Sequence, residues 1–420
     1  MMTQAFYTGI SGIQSSSAAI DITSNNLANI STTGFRGYTT EFATLYEREI
    51  NTPVGPYDSV GIGTRVQASS MMTNQGSLAL SERSTDIAIM GSGWFGVQGQ
   101  NEPLFTRNGA FSFDENSDLV TSDGYHVLGT MGNNIGADGV LTQRLDEIQL
   151  GDITAQEKMR FPKTLTFPAE PSTEAKFIAN IGIGAEGFEV VAMGASVIDP
   201  QNNKNNLRLQ FTKSEVQTPP GSQWDVVATT QSLDGETIYD TQTGRVEFTP
   251  EGALAFSTLT TIDNNGAPVA INLGDGFDGV VSVDKAVVPG SSVADGMIGG
   301  DLEGYSVSEN GEVLATFTNG QQSSIAKIAV YHFPNEQGLE RVGSTNFKQS
   351  SNSGEALFLK DAQGNNITGV GLSNFRLESS NVSLSAGLTD LILLQRSFDA
   401  NSKSITTADQ MMQKALNMDA

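Results

Sequence analysis

No cysteine occurs among the 420 residues, which removes disulfides, thiol nucleophiles and thiolate metal sites. Histidine is nearly absent. His126 and His332 lie far apart in sequence, so a His-dependent triad or a multi-His metal site finds little support. Positive charge is scarce as well: 23 Lys and Arg face 47 Asp and Glu, a net charge of −24. That balance argues against nucleic acid or an anionic membrane surface as a partner. No apolar run approaches the roughly 18 residues needed to cross a bilayer, so no membrane insertion is expected. The start has neither a basic n-region nor a compact apolar h-region, because Gly9, Gly12 and the serines at 15–17 interrupt it. No cleaved leader is expected there.

What is present lies at the two ends. Phe6, Ile10, Ile13, Ile20 and Leu27 fall on a 4-3-4-3 spacing in which Ser17 and Ser24 fill the remaining steps. Leu384, Leu391, Phe398, Ile405 and Met412 repeat every seven residues, and Leu388 and Leu416 stand on an adjoining row. Such spacings place apolar side chains along one stripe of a helix. Gln395, Ser402 and Asp409 interrupt that adjoining row, so the C-terminal pattern is no full two-row zipper. The termini are almost neutral in net charge: residues 1–46 and 379–420 each carry a net −1, which leaves −22 for the middle. Nearly neutral arms can crowd beside copies of themselves, while an acidic middle stays solvated. The pattern predicts terminal helices that pair with each other or with other copies of the chain. Packing on the chain's own core is the plainer alternative.

Between these arms the chain reads as β-structure. Residues 3–30 are expected to be helical, with Asn25, Asn26, Asn29 and Gly34 favouring turns and a break. Residues 35–72 show no sustained period and read as an extended connecting segment. Strand patterns begin at Asp86–Met90 and Trp94–Gln98 and continue through Leu104–Thr106, Ala110–Phe113, Leu119–Thr121 and Tyr125–Leu128. Prolines near 161–171 mark a boundary. A second β-rich stretch contains Leu207–Phe211, Trp224–Ala228, Thr237–Tyr239 and Arg245–Phe248, and a third contains Gly311–Thr318 and Ile325–Phe333. A long helix over 388–416 closes the chain. The expected fold is mixed, with α-helical terminal arms forming a coiled-coil-like inner layer and nested all-β domains outside it. The expected divisions are 1–34 with 379–420, the connecting segment 35–72, a discontinuous β-domain of 73–154 with 289–378, and an inserted β-domain at 155–288.

Catalytic signals are weak. G-x-G-x-x-G occurs at Gly91/Gly93/Gly96, Gly182/Gly184/Gly187 and Gly274/Gly276/Gly279. A dinucleotide site needs a strand before that loop and a helix after it, and Trp94-Phe95-Gly96-Val97 reads instead as strand. The Asp/Asn/Gly clusters at 114–118, 263–266, 275–279 and 361–366 lack the ligand spacing of a calcium loop and suit tight turns. With 47 acidic residues no particular carboxylate pair stands out. No catalytic, metal or cofactor site is expected, and the chain is not expected to be an enzyme.

Several blocks resemble bacterial flagellar rod and hook proteins. Asn25-Asn26-Leu27-Ala28-Asn29 with Thr33-Gly34-Phe35-Arg36 is similar to their N-terminal signature. Thr85-Asp86-Ile87-Ala88-Ile89, Gly93-Trp94-Phe95-Gly96-Val97 and Phe105-Thr106-Arg107-Asn108-Gly109-Ala110-Phe111 follow in the family's order. Late in the chain come Thr318-Asn319-Gly320-Gln321, Ile325-Ala326-Lys327-Ile328-Ala329, Glu378-Ser379-Ser380-Asn381-Val382 and Gln395-Arg396-Ser397-Phe398-Asp399-Ala400-Asn401. Trp94 and Ser383 depart from the more usual Phe and Asp. The resemblance implies a structural subunit that polymerises helically into a curved, flexible tube joining rod to filament and transmitting torque. A distal rod or other axial subunit is the alternative, and a secreted β-rich carbohydrate-binding module is a more distant one. The resemblance further implies as partners other copies of the chain, the flagellar rod, the hook cap, the hook–filament junction proteins and the flagellar type III export apparatus. It implies an extracellular place in the flagellum, with Phe6 and Ile10 as an export-recognition pair. The two stripes, including Leu416, would form the polymerisation surface.

Overall fold

The computed structural model describes residues 2–46, 61–100, 102–183, 190–217, 220–288 and 290–418. Two helices bracket a β-rich body. Helix α1 spans Met2–Ala28 and helix α2 spans Leu384–Met418, 27 and 35 residues respectively. At 1.5 Å per residue they reach about 40 and 52 Å. Helix α1 runs through Asn25 and Asn26, where the sequence favours a turn. It breaks only at Asn29, whose side chain donates back to the Asn25 carbonyl at 2.8 Å. Helix α2 begins at Leu384, where the seven-residue spacing starts and four residues before the expected helix over 388–416. No helix among the described residues is long and apolar enough to cross a membrane.

The segment 35–72 differs from its reading as an unpaired connector. Tyr38–Tyr46 and Gly61–Met71 form an antiparallel pair that lies against α1. Register shifts at Glu41/Phe42 and Leu45/Tyr46 break its alternation, because each bulge moves later side chains to the other face. That explains why no period is visible in the sequence.

Three apolar cores follow in the body. A six-stranded antiparallel sheet is centred on Leu128–Met131, Gln322–Ile328, Glu312–Phe317 and Gly300–Val307. It buries Phe95, Phe111, Phe161 and Phe317 together. A five-stranded sheet places Trp94–Gln98 and Pro103–Thr106 between Val330–Tyr331 and Asn346–Lys348. Both faces of this sheet are covered, since successive residues of a strand point to opposite sides. Phe95 enters the first core, while Trp94, Phe105, Tyr331 and Phe347 form a second. Of the expected strands here, Tyr125–Leu128 is displaced: the regular strand is Leu128–Met131, and His126 and Val127 make only isolated bridges.

The third core belongs to the stretch between the outgoing and returning chain. Residues 166–177 run antiparallel to 292–301 through Phe167 opposite Gly300, Glu170 opposite Met297 and Ala175 opposite Ala294. Beyond this ribbon lies a five-stranded meander of Val191–Ile198, Lys204–Lys213, Ser222–Ser232, Ile238–Phe248 and Leu254–Ser257. Thr237–Tyr239 and Arg245–Phe248 are thus parts of one strand, with a register shift at Thr230/Gln231 on its neighbour. Trp224, Phe211, Phe248 and Phe177 fill the core.

Two carboxylates hold the base of this region. Asp295 accepts the backbone N–H groups of Thr173 and Glu174 at 2.7 and 2.8 Å. Asp199 accepts side-chain amides from Asn203, Asn205 and Asn265. Burial opposes both charges, but these donors outweigh it and hold both carboxyls below the usual carboxylate range. The unfolded chain therefore binds more protons in that window. The stabilisation is present above an unfolded value of about 3.9 and is lost as pH falls through the folded values. Trp224 fluorescence in urea should give a lower midpoint at pH 3 than at pH 5. Asp199→Asn should lower the midpoint at pH 7 and flatten that decline.

Candidate functional site

The apolar spacing of the terminal arms leads to the helix pair. Gly9 faces Ile405, Gly12 faces Asn401, and the Ser16 hydroxyl lies 3.4 Å from that of Ser397. The helices are therefore antiparallel. The face of α1 against α2 is the small-residue row Gly9, Gly12, Ser16 and Ala19, on a 3-4-3 spacing. A Cβ at Gly12 would stand 2.5 Å from the Asn401 side-chain nitrogen, and one at Gly9 would stand 2.6 Å from Ile405 Cγ1. Interaxial distance follows the side chains at the contact, so glycines here bring the axes close. Gly12→Leu should force the helices apart, with reduced helical circular dichroism and an unchanged β-body.

On α2 the seven-residue row is half-buried at Leu391, Phe398, Ile405 and Met412, whereas its first member, Leu384, is 52% exposed. Its companion row differs from the one marked in the sequence. Gly387, Leu394, Asn401 and Ala408 turn inward, whereas Leu388 of the adjoining row is 45% exposed. Gly387 lies beside Leu27 of α1, whose Cδ1 would stand 3.8 Å from a Cβ added there. Phe6, Ile13, Ile20 and Leu27 are half-buried, and Ile10 is 40% exposed. The side chain of Leu416 lies outside the described residues, as do Gly184 and Gly187 of the second glycine motif.

Below the helix pair, three of the sequence blocks meet. Arg36, Arg107 and Glu378 are 2%, 1% and 2% exposed. Glu378 Oε1 takes Arg36 at 3.0 Å and Oε2 takes Arg107 at 3.3 Å. Glu378 Oε1 also accepts the Gly76 N–H at 3.0 Å. Arg36 donates to the Asn74 carbonyl and Arg107 to the Gly91 carbonyl. Burial pushes the Arg36 guanidinium down and that of Arg107 down to about 10, while Glu378 opposes both shifts. Gly34 enters the junction at φ +69°, where a side chain would run into the Asn108 backbone. Its N–H donates to the Glu378 carbonyl at 2.7 Å. Phe35 is buried with the Arg341 guanidinium 4.9 Å from its ring centre.

Asparagines tie this junction to the arms. Asn26 exchanges two hydrogen bonds with the Tyr38 backbone, at 2.6 and 3.0 Å. Asn381 accepts from the Gly37 N–H at 2.8 Å and donates to the Met72 and Asn74 carbonyls at 3.0 and 2.9 Å. The junction residues were legible only as parts of motifs.

The turn clusters behave as local structure. Asp114 Oδ1 accepts the N–H groups of Asn116 and Asp118, both at 2.8 Å. Asp361 and Asp263 make similar turn contacts with Asn365 and Gly266. Asp114, Asp118 and His126 converge, but Asp118 already pairs with Arg160 at 2.7 Å and has Lys158 at 3.9 Å. Gly91 and Gly93 occupy a turn before the strand Trp94–Gln98, and Gly274, Gly276 and Gly279 belong to a short hairpin.

The regions that form the helix pair and its junction match known families. Residues 6–36 match the family described as Flagella basal body rod protein, residues 88–188 the Flagellar hook protein FlgE/F/G D1 domain, and residues 374–418 the Flagellar basal body rod FlgEFG protein C-terminal. The chain belongs to the flagellar rod and hook protein family. Relatives align end to end. The flagellar hook protein FlgE of Borreliella burgdorferi is 28% identical over 99% of this chain and 100% of its own length. That of Escherichia coli is 27% identical with the same coverage. A solved structure, that of the Helicobacter pylori flagellar hook protein FlgE2, covers 72% of this chain and 100% of its own at a TM-score of 0.49 and 15% identity. Arg36 belongs to the first family match, Arg107 to the second and Glu378 to the third.

Proposed function

We propose that this chain is the structural subunit of the flagellar hook, a non-enzymatic protein that polymerises helically into a curved tube between rod and filament. The observation that carries the reading is the closely packed terminal helix pair, nearly neutral in net charge and with apolar side chains left outward, on a chain that aligns with hook relatives over 99% of its length. In this reading residues 1–34 and 379–420 form the inner layer of the tube. Residues 35–72 brace that layer, 73–154 with 289–378 surround it, and 155–288 form the outermost domain. Leu384, Leu388 and the outward part of the stripes meet neighbouring copies. The subunit leaves the cell through the flagellar export apparatus, with Phe6 and Ile10 read at the export gate. The rod, hook cap and hook–filament junction proteins are its neighbours along the axis. Immunogold labelling of isolated flagellar bases with antibody to residues 190–217 tests the assignment. Label on the curved segment outside the rod supports it, and label confined to the rod overturns it.

A further inference from the structure

A cavity of about 810 Å³ opens on the β-body where three loops meet. These are the turn from Trp94–Gln98 into Pro103–Thr106 and the segments 153–158 and 349–356. The buried side chains of Phe105, Leu128 and Tyr331 give it an apolar floor. The Phe105 and Tyr331 rings pack edge to face with centres 5.2 Å apart. The rim is acidic. Glu102, Glu157 and Glu355 are exposed there, and among the described residues none of the three has an ion-pair or hydrogen-bond partner. Lys158, the basic side chain of the lining, has its ammonium 3.9 Å from Asp118.

The Tyr331 hydroxyl is the group without a structural role. A buried phenol ordinarily has a hydrogen-bond partner. Tyr305 follows that rule, donating to the Pro162 carbonyl at 2.5 Å. Tyr331 is 2% exposed and lines the cavity, yet among the described residues its hydroxyl has no partner. Burial pushes the phenol well above its ordinary value. It therefore stays protonated and offers an occupant both a donor and an acceptor.

We propose that this cavity receives a basic segment of a partner protein. An apolar side chain of that segment covers the floor, a backbone carbonyl accepts from the Tyr331 hydroxyl, and a lysine or arginine reaches the three glutamates. The volume lies within the range of about 300–1,000 Å³ typical of ligand pockets. A basic partner is drawn toward a chain of net charge −24, whereas another copy carries the same repelling charge. The occupant is thus a different protein. This assignment does not depend on the hook reading above.

The probe is a fluorescein-labelled hexapeptide of alternating leucine and lysine, added to the full chain and followed by fluorescence anisotropy. Saturable binding is expected, and the same peptide with glutamate in place of lysine should not bind. Tyr331→Phe keeps the ring and removes only the oxygen, so it should weaken binding about fivefold, the effect of one lost hydrogen bond. Glu102→Gln, Glu157→Gln and Glu355→Gln together should weaken it about tenfold. Trp94 emission checks that these variants keep the fold, because Trp94 pairs with Tyr331 across the sheet. Absence of saturable binding to the unaltered chain would overturn the proposal. Equal affinity in every variant would overturn it too, as the mark of diffuse attraction to an acidic surface. If the triple variant failed to elongate on hook seeds that the unaltered chain extends, the cavity would belong to a neighbouring copy and the partner assignment would be wrong.

Discussion

Leu391→Asp combined with Phe398→Asp should abolish assembly while leaving the β-body folded. Both side chains lie on the inward row of α2, half-buried against α1. Full burial of such a side chain is worth about 1.5–3 kcal/mol, so half-burial gives roughly 1 kcal/mol at each site. Each carboxylate adds a desolvation cost in a seam that offers it no counter-ion on α1, which carries no basic side chain. In a polymer the loss recurs at every subunit, so a few kcal/mol per copy is decisive. Sedimentation should show monomers at concentrations where the unaltered chain elongates on seeds. Far-UV circular dichroism should lose helix and keep its β-signal. Loss of the β-signal would mean that the arms hold up the body instead of assembling it.

Glu378→Ala should be the most damaging single change in the monomer. It leaves Arg36 and Arg107 buried beside each other with no carboxylate between them, and it strips the Gly76 N–H of its acceptor. Removing one partner of a buried pair costs about 3–5 kcal/mol, because the remaining charge stays uncompensated. Here two charges remain. The chain has several cores, so a single global transition is not expected. The effect should be local. Trp94 provides the probe, since the Arg107 guanidinium lies 5.7 Å from its ring centre, and Trp224 is in the separate insertion core. In a Trp224→Phe background, the Trp94 transition should move to markedly lower urea on Glu378→Ala. In a Trp94→Phe background, the Trp224 transition should hardly move. Equal shifts in both would show that the junction and the insertion unfold as one unit.

Much of this organisation was legible in the sequence, for reasons that differ between elements. The terminal helices announced themselves because apolar side chains recur at helical spacing over more than 20 residues. Strands such as Trp94–Gln98 and Leu119–Thr121 matched their expected bounds because β-branched and aromatic residues are bounded there by turn residues. The inward companion row of α2 was not legible for a physical reason: leucines draw attention, but the residues that turn inward include Gly387, Asn401 and Ala408, and it is Asn401 and Ile405 that occupy the space left by Gly12 and Gly9. The strand pair at 38–71 was hidden by its bulges. The Arg36–Glu378–Arg107 junction was invisible as a unit, because its members come from three blocks, and even Arg107 and Glu378 are 271 positions apart. Spacing along the chain carries no record of such a contact.

The sequence pattern also favours arms that order only on assembly, since isolated Gly-interrupted helices are marginal in water. The structure pairs them within one copy and anchors them through Asn26 and Asn381. The most direct test of the central claim is electron microscopy of the purified full chain after concentration on hook seeds, beside a chain lacking residues 1–34 and 379–420. The account predicts curved tubes from the full chain and dispersed particles from the truncated one. Tubes from the truncated chain would contradict it, because the β-body alone would then carry the assembly.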